Sequence, residues 1–194
     1  MAEPERQGRV IVITGPSGVG KSTIVREVID RTGAGFSVSA TSRQPREGEV
    51  DYREYHFIDR AVFESMVASG EMLEWAEVFG ELYGTPAWPV REAVAQGRNI
   101  VLEIDVQGGM QVRQKLPEAV FILIAPPSAD VLAQRLRDRG TESEEQIARR
   151  LAEAEAEVNA AAESGAYDHT VVNDDLEAAV RQVIRIVNQE PQQK

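Results

Sequence analysis

The sequence predicts an α/β fold with a central, mainly parallel sheet flanked by helices. Two observations predict it: short apolar runs of strand length alternate with stretches of helix length, and a glycine-rich loop joins the first run to the first helix. Apolar residues make up 42% and charged residues 27% of the 194 residues. We therefore expect one globular domain, with room for a mobile sub-domain.

Five apolar runs are predicted to form the strands of the sheet. The first contains Val10-Ile11-Val12-Ile13, a β-branched run that is typical of a buried strand. Helix-length stretches separate most of the runs, which favours parallel pairing. In chain order, the predicted strands span residues 9–14, 36–40, 99–104, 119–124 and 169–173.

Seven stretches are predicted to be helices. The first ends at Thr32-Gly33, and the one that starts at Ser143 opens with a capping box that Gln146 completes. An Ala/Glu-rich stretch over 152–163 has little bulk to bury, so we expect a partly exposed arm there. The predicted helices span residues 21–32, 60–69, 90–96, 107–115, 128–138, 143–163 and 175–189.

The glycine-rich loop fits the pattern G-x-x-x-x-G-K-[ST], which wraps the phosphates of a nucleoside triphosphate. Its glycines allow backbone N–H groups to turn inward around a polyanion, and the following helix points its positive end at the same place. Lys21 can reach the β- and γ-phosphates, and Ser22 can place a hydroxyl on magnesium. The alternative is a plain glycine turn, which the flanking strand and helix disfavour. The segment reads Gly15-Pro16-Ser17-Gly18-Val19-Gly20-Lys21-Ser22.

The charge pattern argues against nucleic acid and for a small anionic ligand. The formal net charge is -11, so the chain is a poor candidate for binding the backbone of DNA or RNA. Its arginines nevertheless cluster, although solvated surface charge is expected for at least Arg137, Arg181 and Arg185. The clusters are Arg43 with Arg46, Arg135 with Arg137 and Arg139, and Arg149 with Arg150.

The composition also indicates a compartment. The chain has no cysteine, which excludes disulfides and thiolate–metal sites and suits a reducing environment. Its longest apolar runs, 10–13 and 120–125, are too short to span a bilayer, and the first residues lack the apolar core of a signal peptide. We expect a cytoplasmic protein without a membrane partner. The sequence leaves open whether it is a monomer or a homo-oligomer.

Residues 41–89 differ from the rest of the chain. They are rich in Arg, Glu, Gly, Pro and Tyr and contain no long helical pattern. A polar, aromatic insert between strand–helix units is a candidate binding region for a phosphoryl acceptor. The alternative is a long irregular loop, although long loops in compact domains are usually functional.

A series of motifs, in order along residues 9–189, resembles the guanylate kinase family. The longest runs from Phe36 to Glu49 and includes Thr41-Ser42-Arg43-Gln44-Pro45-Arg46. The others are Tyr55-His56-Phe57, Leu73-Glu74-Trp75-Ala76, Tyr83-Gly84-Thr85, Leu102-Glu103-Ile104-Asp105-Val106-Gln107-Gly108, Ala125-Pro126-Pro127-Ser128, Arg139-Gly140-Thr141-Glu142 and Val172-Asn173-Asp174-Asp175.

The resemblance implies the P-loop nucleoside monophosphate kinase fold, with a GMP-binding insert and a helical lid. It implies ATP-dependent phosphorylation of GMP to GDP, which recycles guanine nucleotides, with Mg²⁺ as cofactor. By the same reaction dGMP would give dGDP. The core would comprise residues 1–35, 96–126 and 164–190, and the GMP-binding region residues 36–95. The lid with its following helix would span 127–163, and a disordered tail 191–194.

One departure from the family pattern lies at Tyr52, where family members usually carry glycine. A glycine there suggests a turn with positive φ, which tyrosine disfavours, so the backbone path before Tyr55 is open. Ser42 replaces a common threonine and keeps the hydroxyl.

Glu74 lies at the position that the family uses for guanine. Guanine presents N1–H and N2–H₂ donors that one carboxylate can accept together, and adenine offers no such pair. Ser39 and Thr85 match family positions whose hydroxyls contact guanine. The alternative for Glu74 is a surface carboxylate, although its neighbours Leu73 and Trp75 favour a half-buried site.

The resemblance also implies which side chains hold the GMP phosphate. Guanidinium forks and phenol hydroxyls suit phosphate oxygens, and Arg43 is further expected to face the transferring group. His56 and His169 are interpreted as structural or surface residues, because phosphoryl transfer needs positioning and charge neutralisation more than a strong base. The implied phosphate ligands are Arg43, Arg46, Tyr55 and Tyr83, with Glu49 in the same site.

On the ATP side, the resemblance assigns the triphosphate to residues 15–23, which adds Thr23 to the loop. Arg139 and Arg150 match lid and core arginines near the triphosphate, where they would neutralise charge on the transferred group. The family pattern Arg-Leu selects Arg150 over Arg149, a choice that helical spacing alone leaves open.

Asp105 ends an apolar strand in the manner of a Walker-B acid, and the resemblance places it at the guanine or, through water, at the magnesium ion that Ser22 binds. Asn173 matches a position near the adenine of ATP. The implied catalytic residues are Lys21, Arg43, Asp105, Arg139 and Arg150.

Two rival functions are considered. Another small phosphotransferase, such as a sugar-bisphosphate kinase, would not need Glu74 with Ser39 and Thr85, because a sugar has no guanine edge. A guanylate-kinase-like interaction domain binds phosphorylated proteins without catalysis, but such domains typically have a degraded phosphate loop, whereas Lys21 and Arg139 are present here. ATP affinity measured by calorimetry separates this rival from a kinase.

Overall fold

The computed structural model describes residues 8–138, 140 and 142–189. The strands are β1 (Val10–Thr14), β2 (Gly35–Phe36), β3 (Ala40–Thr41), β4 (His56–Phe57), β5 (Met72–Val78), β6 (Glu81–Pro86), β7 (Ile100–Glu103), β8 (Val120–Ala125) and β9 (His169–Val172). The helices are α1 (Lys21–Thr32), α2 (Arg60–Ala68), α3 (Ala87–Ala95), α4 (Val106–Lys115), α5 (Ala129–Arg137), α6 (Glu144–Ser164) and α7 (Leu176–Asn188).

A parallel five-stranded sheet in the order β2-β7-β1-β8-β9 forms the centre of the molecule, which confirms the predicted α/β class. Ile11 and Ile13 of β1 pack with α1 and α7 on one face, whereas Val10 and Val12 pack with α3 on the other. Both faces are therefore covered, which explains the unbroken β-branched run. Because β1 is the middle strand, the loop that follows it leaves the centre of the sheet edge, where ligands of such sheets bind.

The predicted strand over 36–40 is wrong as a single element. Gly35–Phe36 pairs with β7, and the N–H of Ser37 still reaches the carbonyl of Val101 at 3.0 Å. The chain then leaves the parallel sheet, and Ala40–Thr41 pairs with β4 and β6 of a second sheet. One apolar run therefore contributes a short strand to each of two sheets. The local periodicity of the sequence does not show where the run divides.

The polar insert forms an ordered second sheet in the order β4-β3-β6-β5, so the alternative of a long irregular loop is wrong. Helix α2 covers this sheet, and Phe63, Met72 and Leu82 are buried in a small core of their own. Helix α3 lies within the predicted region 36–95 but packs on the parallel sheet, through Ala87, Val90 and Ala93.

Helix α6 begins with the expected capping box. The hydroxyl of Ser143 accepts from the N–H of Gln146, whose side chain accepts from the N–H of Ser143 in return. Its Ala/Glu-rich half is exposed on one side, but Ala154 packs against α5 and Ala161 against α4. Of the helices in the described part of the chain, none is both long and apolar enough to cross a membrane.

Tyr52 adopts the positive φ of 61° that a glycine would favour. Such a backbone costs an L-residue about 1–2 kcal/mol. Its ring stacks on His56 with 4.1 Å between the centroids, and its N–H donates to the carbonyl of Tyr55 at 2.9 Å. The turn before Tyr55 is thus kept, and the stacking offsets part of its strain.

Candidate active site

The glycine-rich loop connects β1 to α1 and lies close to the end of β9, two strands away from β1 in the sheet. Gly18 and Gly20 have left-handed φ values of 89° and 92°. At Gly20 a Cβ would also lie 2.6 Å from Nδ2 of Asn173, so glycine alone permits this approach. The 12-residue helix that starts at Lys21 has its N-terminus at the loop, which favours an anion there.

The loop encloses a cavity of about 360 Å³, which all predicted residues of the segment 15–23 line except Val19. Lys21 lies in this cavity and donates from Nζ to the carbonyl of Gly15 at 2.9 Å. Burial lowers the pKa of its ammonium, and three nearby carboxylates act in the opposite direction: Glu103, Asp105 and Glu157. An ammonium has three donors, so Lys21 keeps capacity for phosphate oxygens.

The three carboxylates reach the cavity from different elements. Glu103 ends β7 and accepts a hydrogen bond from Oγ of Ser22 at 2.5 Å. Asp105 caps α4, because its Oδ1 accepts from the N–H of Gly108 at 2.6 Å. Glu157 belongs to α6; burial raises the pKa of its carboxyl, with Asp105 adding to the effect and the Lys21 charge opposing it.

Glu103 and Glu157 are functional candidates that the sequence analysis missed. A local signal exists for Glu103, which precedes Asp105 by two residues at the end of the same apolar run. Glu157 follows Arg150 by seven residues, so both lie on one face of α6. The spacing of Arg150 and Glu157 identifies Glu157 as a candidate only once the structure shows that α6 faces the loop.

Arg150 reaches the phosphate loop, whereas Arg149 does not. Nη1 of Arg150 donates to Oγ of Ser17 at 2.9 Å, and Nη2 pairs with Glu142 at 2.9 Å. Arg149 pairs with Glu153 one turn along the helix, and its side chain is 82% exposed. The geometry therefore agrees with the selection of Arg150 by the family pattern, while its catalytic role stays a prediction. The predicted Arg139 and the tail 191–194 lie outside the described residues.

Asn173 stabilises the loop by a hydrogen bond to its backbone. Its Nδ2 donates to the carbonyl of Val19 at 2.7 Å, and its side chain is buried. Arg135, in the second arginine cluster, donates from Nη2 to the backbone carbonyl of Asn173 at 2.8 Å. The observed contact is with the loop; the contact with adenine stays a prediction. Arg137 pairs with the exposed Glu144, as expected for surface charge.

Glu74 lies on β5 and is only 8% exposed, so the surface-carboxylate alternative is wrong. Burial raises its pKa to about 7, and the hydrogen bond that Thr85 Oγ1 donates at 2.6 Å opposes this rise. A Cβ on Gly108 would lie 3.1 Å from Oε2 of Glu74 and 3.3 Å from Oδ1 of Asp105. Glu74 and Asp105 therefore border the same point at the start of α4.

Arg43 holds Glu49 in a two-point ion pair. Nη1 and Nη2 of Arg43 lie 2.8 and 2.9 Å from the two carboxylate oxygens. The N–H of Arg46 donates to the same carboxylate at 2.7 Å. These contacts, that of Arg43 first, lower the pKa of Glu49 to about 2. A carboxylate thus occupies the guanidinium fork that is predicted to take phosphate oxygens.

The other predicted acceptor-site residues lie around these groups on the second sheet. The rings of Tyr55 and Tyr83 meet edge to face with 5.7 Å between their centroids, and the Arg43 guanidinium lies 5.5 Å from the centre of the Tyr55 ring. Since Ala40 pairs with Gly84 in the antiparallel register, Ser39 falls beside Thr85. The chain folds these residues onto one sheet from segments about 40 residues apart.

Comparisons with known proteins agree on one family. The family model described as guanylate kinase matches residues 7–190. The guanylate kinase of Nocardia farcinica is 51% identical over 189 residues, which are 96% of each chain. That of Synechocystis sp. is 48% identical over 185 residues, 95% of each chain. A crystal structure of guanylate kinase from Anaplasma phagocytophilum has a TM-score of 0.71 at 31% identity, and the match covers 97% of this chain and 89% of that one.

The contact of Asn173 with the loop leads to a prediction. In Asn173→Ala the carbonyl of Val19 loses its 2.7 Å donor, so we expect a loss of about 1–3 kcal/mol in the free energy of unfolding. If Asn173 acts through the loop, the variant weakens the binding of magnesium tripolyphosphate and of magnesium ATP by the same factor. Calorimetry with both ligands checks this. A loss confined to ATP would instead support the contact with adenine. Asn173→Leu, which keeps approximately the size without the donor and adds no charge, should behave like the alanine variant.

Proposed function

The chain belongs to the guanylate kinase family, and we propose that its own residues transfer the γ-phosphoryl group of ATP to GMP at the junction of the two sheets. One observation carries this assignment. Asp105 lines the cavity that holds Lys21 and also lies beside Glu74 at Gly108, so the triphosphate site and the base site are adjacent. An acceptor held at Glu74 can therefore present its phosphate to a nucleotide held by the loop.

Recognition of the acceptor base falls to Glu74. Its ionised carboxylate accepts from N1–H and N2–H₂ of guanine, while the hydrogen bond from Thr85 holds the carboxylate in place. Ser39 and Asp105 complete the base site. The proposed contacts involve only the base and the phosphate, so we include dGMP among the acceptors. Adenine would leave the buried Glu74 without donors, which costs binding energy.

The phosphate of the acceptor binds to Arg43, Arg46, Tyr55 and Tyr83. Before it arrives, Glu49 neutralises Arg43 and holds the guanidinium between the aromatic rings. Phosphate oxygens would compete with this carboxylate for the same fork. Glu49 thereby keeps the arginine oriented in the absence of the acceptor.

The donor triphosphate binds to the backbone N–H groups of the loop and to Lys21. Arg150, already in contact with Ser17, neutralises charge that develops on the transferred group, and the resemblance gives Arg139 the same task. An oxygen of the acceptor phosphate attacks the γ-phosphorus in line with the leaving ADP. Water must be excluded from this site, because it would otherwise accept the phosphoryl group.

The oxygen donors at the loop fit a magnesium ion. The Ser22 hydroxyl and the Glu103 carboxylate lie together at 2.5 Å, and Asp105 lines the same cavity. Mg²⁺ prefers oxygen ligands and is usually held by one or two carboxylates, waters and phosphates. We propose that Ser22 contacts the ion, with Glu103 and Asp105 holding its waters. When bound, the ion would neutralise charge on the β- and γ-phosphates.

The rival functions fit the site less well. A sugar-bisphosphate kinase has no use for a buried carboxylate paired with Thr85. A non-catalytic interaction domain does not need Lys21, Ser22 and three carboxylates around an anion cavity. Location in the cytoplasm and the lack of a nucleic-acid partner stay predictions from the sequence.

The first prediction from this assignment concerns the acceptor. In a coupled assay with ATP, we expect kcat/KM for GMP and dGMP to exceed the values for AMP, CMP and UMP by at least about 100-fold. A two-point base contact contributes ~1–3 kcal/mol, and leaving a buried carboxylate unpaired adds to the difference. Turnover of AMP equal to that of GMP would refute the role of Glu74.

The second prediction concerns Lys21. We expect Lys21→Ala to lower kcat by about 100- to 1,000-fold, the typical effect of removing one donor that stabilises developing charge. The affinity for GMP should stay nearly unchanged, since Lys21 lies in the triphosphate cavity. Lys21→Met, which keeps the stem without the charge, is the control. A comparable loss of GMP affinity in calorimetry would mean that Lys21 serves the fold instead.

The third prediction concerns pH. With a pKa of about 7 raised by burial, Glu74 is mostly ionised at pH 8 and mostly protonated at pH 6. Only the ionised form accepts both guanine donors, so the Kd for GMP should rise about tenfold between pH 8 and pH 6. Glu74→Gln retains only the titration of the GMP phosphate and serves as the control. Parallel pH profiles for the parent and this variant would contradict the prediction.

A further inference from the structure

The turn between β5 and β6 exposes an aromatic ring in an unfavourable backbone. Phe79 and Gly80 form this two-residue turn, with φ of 52° and 80°. Such turns favour Asn-Gly, because both positions need left-handed φ. The side chain of Phe79 is fully exposed, at 103% of its reference area. A phenylalanine at this position therefore has an unfavourable backbone conformation and exposes an apolar ring to water, and neither property stabilises the turn.

The ring lies at the edge of a groove that is lined mainly by α6. Phe79 lines a cavity of about 270 Å³ together with Glu142 and the first turns of α6. The helix contributes Gln146, Arg149, Arg150 and Glu153; each arginine lies three or four residues from Gln146 and from Glu153, so the four line one side of the helix. Arg149 is 82% exposed there, so its stem and guanidinium offer a surface on which an aromatic ring can pack.

The turn is fixed to the second sheet and its helix. Arg60 of α2 donates from Nη1 to the carbonyl of Gly80 at 2.8 Å and pairs with Glu64 at 2.8 Å. A further oxygen, on Glu77 of β5, lies 3.6 Å from Nη2 of Arg60. The ring is therefore carried by a turn that is fixed to the strands of the acceptor site.

We propose that Phe79 is a positioning residue for phosphoryl transfer: as the second sheet approaches the core, its ring packs into the α6 groove against Arg149 and holds Arg150 over the phosphate loop. The inference rests on the proposed function. Glu74 lies on β5 and Thr85 on β6, so one hairpin carries both the guanine contacts and this ring. Acceptor binding is thereby communicated to the arginine that touches Ser17.

Packing of the Phe79 ring would strengthen the electrostatic interaction of Arg150 by removing water around its guanidinium. Its guanidinium already bridges Ser17 and Glu142, but its side chain is 39% exposed. An apolar ring in the groove would shield this charge and strengthen its attraction to the transferred group. The same ring would close one route by which water reaches the γ-phosphate.

The test compares Phe79→Ala, Phe79→Asn and Phe79→Tyr in the full chain. The Asn variant accepts left-handed φ and lacks the ring, so it separates the ring from the backbone. Under single-turnover conditions with ATP, Mg²⁺ and GMP, we expect transfer to slow about tenfold in the Ala and Asn variants and less than twofold in the Tyr variant. The Kd for magnesium ATP should change less than twofold and Tm should not fall, which excludes a general structural defect. Trp88→Ala, at a 51% exposed aromatic on α3 outside the groove, is the control and should match the parent.

A double-mutant cycle tests the contact itself. If the ring packs on Arg149, Phe79→Ala combined with Arg149→Ala should be no slower than the slower single variant. If instead the fold-losses of the two single variants multiplied in the double variant, the proposed contact between Phe79 and Arg149 would be wrong. Transfer within twofold of the parent in all Phe79 variants would overturn the proposal, while the parent still phosphorylates GMP and the proposed function stands. A parent that cannot phosphorylate GMP would refute the proposed function, and the inference with it.

Discussion

The site depends on keeping the glycine-rich loop in one backbone conformation. For its N–H groups to turn toward a polyanion, its carbonyls must turn away and find donors elsewhere. The side-chain amide of Asn173 meets this need at Val19, and Lys21 meets it at Gly15. Gly20 makes the arrangement possible because a side chain there would collide with Asn173. The loop, the end of β9 and the start of α1 therefore form one unit, on which the proposed placement of the triphosphate depends.

The positive charge of Lys21 at the loop is balanced by three carboxylates that come from separate parts of the chain. Lys21 is a half-buried cation near Glu103, Asp105 and Glu157, in a protein whose formal net charge is -11. A bare triphosphate would face these three carboxylates, whereas a triphosphate that brings a magnesium ion satisfies both signs of charge. Under the proposed function, the acidic residues would favour the metal-bound donor over the free nucleotide. Their placement would also allow an acidic chain to bind an anion.

The proposed acceptor site contains two glutamates in opposite environments. Burial raises the pKa of Glu74 to about 7, so this carboxylate would gain from the donors that a guanine brings. Arg43 and the N–H of Arg46 lower the pKa of Glu49 to about 2, so this one stays ionised and occupies the arginine. Glu74 would accept the guanine donors, whereas Glu49 occupies the Arg43 guanidinium at the place proposed for the phosphate. Both lie in the insert, which has a separate core around Phe63 and is tied to α4 by hydrogen bonds from Gln111 and Lys115 to the backbone of β5.

The sequence by itself determined the class of fold, the phosphate loop and the family, because these depend on residues that are close together in the chain. The run Val10–Thr14, the glycines and Lys21 occupy 12 consecutive positions, and each has a local physical reason. Only the tertiary structure decided how the run 36–40 divides between two sheets, because strands of two residues carry no periodic signal. It also supplied the contact by which Arg150, already selected by the family pattern, reaches Ser17 of the loop, and it decided that Glu103 and Glu157 lie near Lys21. Asn173 contacts Val19 across 154 residues of sequence, and no local pattern can predict a hydrogen bond that exists only after the strands have paired.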